Sequence, residues 1–161
     1  MKSTDNGDTW TLAGLEDSHH IGKILIHPEN PNHVIVGVTG HLYSPNEERG
    51  VYITKDGGKT WEHTLYINNE TGVIDMATAP NNFAIQYAAV WEKDRKAWDF
   101  VGNGENSGIY KSTDAGMTWK LVSGVETGFP GGEGVGRIGL AVFDENTLYA
   151  IHDSQFRRPK T

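Results

Sequence analysis

The sequence predicts an all-β fold, a β-propeller fragment of four-stranded antiparallel blades with two complete blades and a half-blade at each end. Three observations predict it. The pattern Ser/Thr-x-Asp-x-Gly-x-Thr-Trp occurs at 3–10, 54–61 and 112–119. Its tryptophans, Trp10, Trp61 and Trp119, lie 51 and 58 residues apart, which is the period of a propeller blade or a comparable repeat unit. Four strand-like runs fit between successive octets. Composition agrees: 20 glycines, five tryptophans and six tyrosines suit a turn-rich β protein better than a helical one. No window shows a sustained helical period or an apolar run long enough to cross a bilayer.

Each fixed position of the octet has a physical reason. Asp5, Asp56 and Asp114 stand where a carboxylate can accept hydrogen bonds from backbone N–H groups just ahead of it. Gly7, Gly58 and Gly116 supply the positive φ that a tight turn requires. The Thr and Trp that follow favour strands, and Trp10, Trp61 and Trp119 carry large apolar areas into or between sheets. A calcium loop is the competing explanation, but it needs Asp or Asn at its third position, where the first copy has Gly7. The octet is therefore a hairpin corner with a packing anchor, and its residues are consumed in closing a turn.

Taken in order, 1–13 reads as an outer half-blade holding the first octet. The blade at 14–66 comprises strands at 22–27, 33–38, 50–53 and 61–66, with a turn at 28–32. The blade at 67–122 repeats the order with strands at 73–78, 83–91, 107–110 and 119–122 and a turn at 80–82. An inner half-blade at 123–161 holds strands at 137–143 and 147–152. Blades bury their faces against neighbours, so this count leaves two apolar faces open. The expected cover is the remaining blades of a larger propeller or a self-associating copy that closes the ring.

The formal charge of −7 and the acidic pI near 5.4 exclude a general basic face for nucleic acid. The absence of cysteine removes disulfide and thiol chemistry. No signal peptide is legible, so a bacterial secreted or periplasmic setting requires a signal outside this sequence.

The octets resemble Asp-boxes, also called BNR repeats, as found in sialidases, xyloglucanases, sortilin-type receptors and a photosystem assembly factor. Three runs resemble bacterial sortilin-like proteins of glycosyl hydrolase-like designation: Gly40-His41-Leu42-Tyr43-Ser44-Pro45-Asn46-Glu47-Glu48-Arg49-Gly50-Val51-Tyr52, Trp91-Glu92-Lys93-Asp94-Arg95-Lys96-Ala97-Trp98 and Gly136-Arg137-Ile138-Gly139-Leu140-Ala141-Val142. The resemblance implies a propeller with a peptide or glycan ligand. It transfers no catalytic residue. The sialidase Arg-Ile-Pro signature and arginine triad, the surroundings of the two xyloglucanase aspartates, and the cysteine-rich module of animal sortilins are all missing.

Blade topology puts the short turns and the octets on one face. The long loops at 14–21, 41–49, 66–72, 92–106 and 123–134 lie on the other, where a rigid β scaffold presents binding groups. Among them Tyr43, Glu48, Arg49, Trp91, Arg95, Trp98 and Arg137 are the candidate ligand-binding residues: rings stack on apolar sugar or peptide faces while charges set orientation. The alternative is a solvated loop whose tryptophans pack down on neighbouring blades. On the innermost strands, alignment on the following turns makes Lys23, Asp75 and Gly139 equivalent, and Lys23 with Asp75 reads either as a structural ion pair or as a ligand contact. Asp75 and Glu70 are the weak catalytic candidates, since glycoside hydrolysis needs two carboxyls about 5–10 Å apart. A purely structural scaffold is the third reading.

Three further patterns carry no function. Gly134-Val135-Gly136-Arg137-Ile138-Gly139 has the letters of a dinucleotide motif but leads into a strand instead of a helix. The histidines, including His19-His20, lack a metal-ligand spacing, so neither metal nor cofactor is expected. Asn69-Glu70-Thr71 is a glycosylation sequon, fortuitous if the source is bacterial.

Overall fold

In a computed structural model, which describes residues 1–155, the predicted all-β architecture is present. The last six residues of the 123–161 half-blade lie outside the described residues. The first sheet has the order β1 (Ile21–His27), β2 (Asn30–Val38), β3 (Gly50–Thr54), β4 (Glu62–Leu65). The second contains β5 (Thr71–Ala79), β6 (Asn82–Glu92), β9 (Gly108–Ser112) and β10 (Lys120–Leu121). Between β6 and β9 a short hairpin, β7 (Asp94–Arg95) with β8 (Phe100–Val101), stands apart from both sheets. A two-stranded sheet, β11 (Val135–Val142) and β12 (Leu148–Ser154), follows. All of these pairings are antiparallel. Among the described residues no helix is long and apolar enough to cross a membrane.

The hairpins turn more tightly than the sequence suggests. His27 pairs with Asn30 and Ala79 with Asn82, so each turn holds two residues, Pro28-Glu29 and Pro80-Asn81. Proline sets the first residue of each turn, and Asn81 accepts the left-handed region at φ 63°. The segment at 1–13 closes the first octet with an antiparallel bridge, Lys2 to Thr11. It packs on the first blade: the Trp61 indole donates to Ala13 O at 2.7 Å, and the Lys2 ammonium to Gly57 O at 3.4 Å.

The octets share one hydrogen-bond plan. In the third, Ser112 Oγ donates to Asp114 Oδ1 at 2.7 Å and accepts from Gly116 N–H at 2.8 Å. Thr118 N–H donates to Asp114 Oδ1 at 2.9 Å, and its hydroxyl donates to Oδ2. The same four bonds recur at Asp5 and Asp56. The position before the fixed glycine is also left-handed, at Asn6 (φ 59°), Gly57 (75°) and Ala115 (60°). Bonds from the Thr hydroxyls lead in holding Asp5 and Asp114 down to about 2; those from Thr60, its N–H first, hold Asp56 lower still. The carboxylates therefore remain ionised acceptors through the ordinary pH range.

The main core lies between the two four-stranded sheets. Ile35, Val51 and Ile53 of the first meet Val73, Met76, Ala88 and Val90 of the second, with Trp119 against the edge. Each of the buried Val, Ile and Met side chains contributes about 1.5–3 kcal/mol by burial. A second cluster joins Tyr87, Ala89 and Ile109 to Val135 and Ile138 of the third sheet. The sheets approach closely where glycine permits it. A Cβ on Gly22 would lie 2.5 Å from Val73 O, and one on Gly72 would lie 2.3 Å from Thr39 O.

Candidate functional site

Two sets of backbone bonds establish the faces. Gly57 N–H donates to Asn32 O at 2.9 Å and Ala115 N–H to Ala84 O at 3.0 Å, which ties octets to short turns at one end of the sheets. At the other end Asn46 N–H reaches Asn69 O at 2.9 Å and Lys93 N–H reaches Glu70 O at 3.4 Å, so the long loops interlock.

A groove of about 320 Å3 opens at this loop end, over the innermost strands. Strand irregularities build its floor. Pairing slips between Ile21 and Lys23 in β1, between Val73 and Asp75 in β5, and between Val135 and Ile138 in β11. Gly22, Ile74 and Arg137 lie in those slips, and all three line the groove. A bulge turns a side chain out of the ladder and re-aims it; here a one-residue bulge in the innermost strand of each of three successive sheets delivers a glycine, an isoleucine and an arginine to one surface.

The wall comes from Trp91 at the end of β6 and from the β7–β8 hairpin. Trp91 Nε1 donates to Gly102 O at 2.7 Å, its ring meets Phe100 edge-on at 6.0 Å, and the Arg95 guanidinium lies over the Phe100 ring at 5.4 Å. Trp91, Phe100, Arg95 and Arg137 all line the groove, with Lys93 and His20. Trp98 is at the tip of this hairpin and is 85% exposed. Of the predicted ligand-binding residues, the fold thus brings Trp91, Arg95 and Arg137 together and leaves Trp98 projecting beside them.

Arg49 has a different setting. It is 2% exposed, and its guanidinium donates to four backbone carbonyls: Thr39 (2.8 Å), His41 (2.9 Å), Ser44 (3.1 Å) and Glu70 (3.3 Å). It clamps the loops from beneath the surface, and burial depresses its pKa. Lys93, named in the sequence only within the run at 91–98, is the more telling cation. It is 6% exposed, donates to His41 O at 3.0 Å, and burial, then Arg49 and Arg95, push it down to about 8. Among the described residues, Lys93, Arg95 and Arg137 have no carboxylate partner within ion-pair distance.

The other candidates lie elsewhere. Tyr43 is exposed and lines no part of the groove. Glu48 has a buried Oε2 with no hydrogen-bond partner. Glu70 faces a small cleft with Arg49, Lys93 and Arg95. Asp75 bridges sheets: Oδ2 accepts Leu140 N–H of β11 at 2.9 Å, and Oδ1 lies 3.7 Å from Lys23 Nζ of β1. No carboxylate is among the residues lining the groove. The histidine spacing changes in three dimensions, because His19 and His41 stack 3.9 Å apart beside Asp17. Lys93, Phe100, His20 and this cluster are the residues that linear reading misses. The available signal was the proximity of Lys93 to the aromatic run; the histidines had none.

Residues 52–63 match the model for the BNR/Asp-box repeat. The chain therefore carries an Asp-box repeat within an all-β fold. In sequence this Asp-box chain is 28% identical over 147 residues to a xyloglucanase of Paenibacillus sp, covering 80% of this chain and 14% of that protein. It therefore spans about one seventh of the length of that relative. A crystal structure of an ancestral GH74 enzyme aligns at a TM-score of 0.44 with 18% identity, over 92% of this chain and 24% of that one.

Proposed function

We propose that the loop-rich face of this chain binds a glycan, and that its cations favour one bearing carboxylates. The observation that carries the reading is the groove itself, where Trp91 and Phe100 stand beside Lys93, Arg95 and Arg137 with no lining carboxylate. Rings stack on the C–H faces of sugars, and cations without a carboxylate partner, the buried Lys93 beside the exposed Arg95 and Arg137, attract an anion. The xyloglucanase relationship supports a glycan over a peptide as the occupant.

Calorimetric titration of the 161-residue chain with a neutral xyloglucan oligosaccharide and with an oligogalacturonate tests this reading. Binding is expected for the acidic oligosaccharide at least, weakened about tenfold by Trp98→Ala if one stacking contact of about 1.4 kcal/mol is lost. Arg137→Ala is expected to weaken the acidic ligand selectively. Absence of binding by both glycans sinks the proposal, and binding of basic or apolar peptides alone would replace it with peptide recognition.

The relationship also favours a second reading, in which the chain contributes to a glycoside hydrolase, with Asp75 and Glu70 as the acids that the sequence alone offers for it. The ties of Asp75 to Leu140 and Lys23 give it a structural task already. Hydrolysis unchanged by Asp75→Asn and Glu70→Gln would remove these acids from that role.

A further inference from the structure

Asp17 and His19 belong to the loop before β1, and His41 to the loop after β2. We infer that these three side chains form a binding site for one divalent transition-metal ion of the zinc class, next to the glycan groove. Their ligand atoms all lie within 4.8 Å of one another. Asp17 Oδ1 is 3.1 Å from His41 Nε2 and 3.7 Å from His19 Nε2. Ligands at about 2.0–2.1 Å from a tetrahedral zinc are about 3.3–3.4 Å from one another. Two of the three edges bracket that length; the third, between the imidazole nitrogens, lies within 4.8 Å and closes by rotation of the exposed His19 ring when the ion binds.

Surrounding groups hold the donors in this arrangement. His41 Nδ1 lies 2.8 Å from Ser44 Oγ; with the proton on Nδ1 donated to Ser44, the Nε2 lone pair is available to a metal. Asn46, itself 5% exposed, donates from Nδ2 to Asp17 Oδ2 at 3.2 Å. That leaves Oδ1 as the oxygen facing both imidazoles. A single hydrogen bond to Asp17 accounts for one ring but not for two. The His19 ring stacks on His41 at 3.9 Å and 32°, bringing a second Nε2 to the same oxygen. Two imidazoles with one carboxylate suit zinc, nickel or copper, whereas calcium and magnesium prefer all-oxygen sites.

Asp17 and His19 are exposed, so a fourth position is open to water or to a ligand oxygen. The neighbouring His20 is held by Gly40 O at 3.0 Å and lines the groove together with Gly40 and Leu42. A metal here stands at the groove rim, within the same pair of loops.

The test is calorimetric titration of the chelator-treated 161-residue chain with zinc chloride near neutral pH, followed by the absorption spectrum of the cobalt form. One ion per chain is expected, with a low-symmetry nitrogen–oxygen cobalt spectrum. Asp17→Asn and His19→Ala, both at exposed positions, are expected to abolish saturable binding with an unchanged far-ultraviolet circular dichroism spectrum. Ser44→Ala is expected to weaken binding about tenfold through the lost orienting bond. No saturable binding, or binding that survives both ligand variants, overturns the site. Loss of binding in His27→Ala instead would assign the ion to the stacked His27–His33 pair and likewise overturn it.

Discussion

At the scale of single residues, burial of charge is the most informative feature. Arg49 is nearly satisfied: a planar guanidinium offers five donors, and four carbonyls of the 39–49 and 70 backbone accept from its terminal nitrogens, leaving the buried Nε without a partner. Lys93 is less well provided, with one carbonyl for three ammonium protons, Arg49 and Arg95 raising its cost and Asp94 offsetting part of it. Its folded pKa of about 8 lies below the ordinary 10.5, so between those values the folded chain carries fewer protons than the unfolded one. Stability is therefore expected to rise as pH goes from about 8 toward 10, by on the order of 2–3 kcal/mol from this group. Above pH 10 the tyrosines oppose it, because Tyr52 is pushed up to about 12 by burial and its unfolded counterpart ionises first. Urea midpoints measured at pH 7.5 and 9.5 check this, and the rise is expected to vanish in Lys93→Met, which keeps the volume and removes the titration. A flat profile in the unsubstituted chain would mean that Lys93 is solvated.

At the scale of elements, the inner strands explain how the sheets fit. Gly22 and Gly72 let backbone approach backbone, and the carbonyls they face, Val73 O and Thr39 O, belong to the neighbouring sheet. Gly72→Ala sets a methyl 2.3 Å from Thr39 O, and backbone cannot swing aside as a side chain can. A loss of about 1–3 kcal/mol in urea unfolding is expected, with no change in slope, as for other overpacked interiors; a neutral substitution would show that the sheets are not locked at this point. The octets and the strands between them were legible in the sequence because their determinants are local: an Asp reaching four residues ahead, a glycine at positive φ, an alternating apolar run. The second left-handed residue was not, since Asn6, Gly57 and Ala115 share no side-chain chemistry, and Ala115 is a poor advertisement for φ 60°. The β7–β8 hairpin escaped notice because two-residue strands have no periodicity to read. The bulges at Gly22, Ile74 and Arg137 became visible only through pairing registers. In the same way, the groove and the Asp17–His19–His41 cluster arise from loops that are adjacent in space and distant in sequence.

At the scale of the whole molecule, two apolar faces remain open. On β1, Leu25 packs inward while Ile24 (55%) and Ile26 (58%) are exposed, as alternation along a strand requires. On β12, Leu148 joins the second core cluster while Tyr149 (69%) and Ile151 (77%) face solvent. The repeat itself indicates what fits these faces, since each buried blade face in the chain is covered by another blade of the same kind. For the 161-residue chain alone, the blade available is on a second copy, the β1 face of one meeting the β12 face of the next. Covering four such side chains yields about 6–12 kcal/mol. Association itself costs about 4–15 kcal/mol, which offsets most of that gain, so weak self-association in the millimolar range is the expected balance. Sedimentation velocity over that concentration range should show reversible growth beyond the monomer. Ile151→Lys with Tyr149→Lys should return the species to monomer while leaving the cooperative unfolding transition in place, because neither side chain belongs to a core cluster. A monomer that persists at millimolar concentration would show that these faces are solvated as they stand.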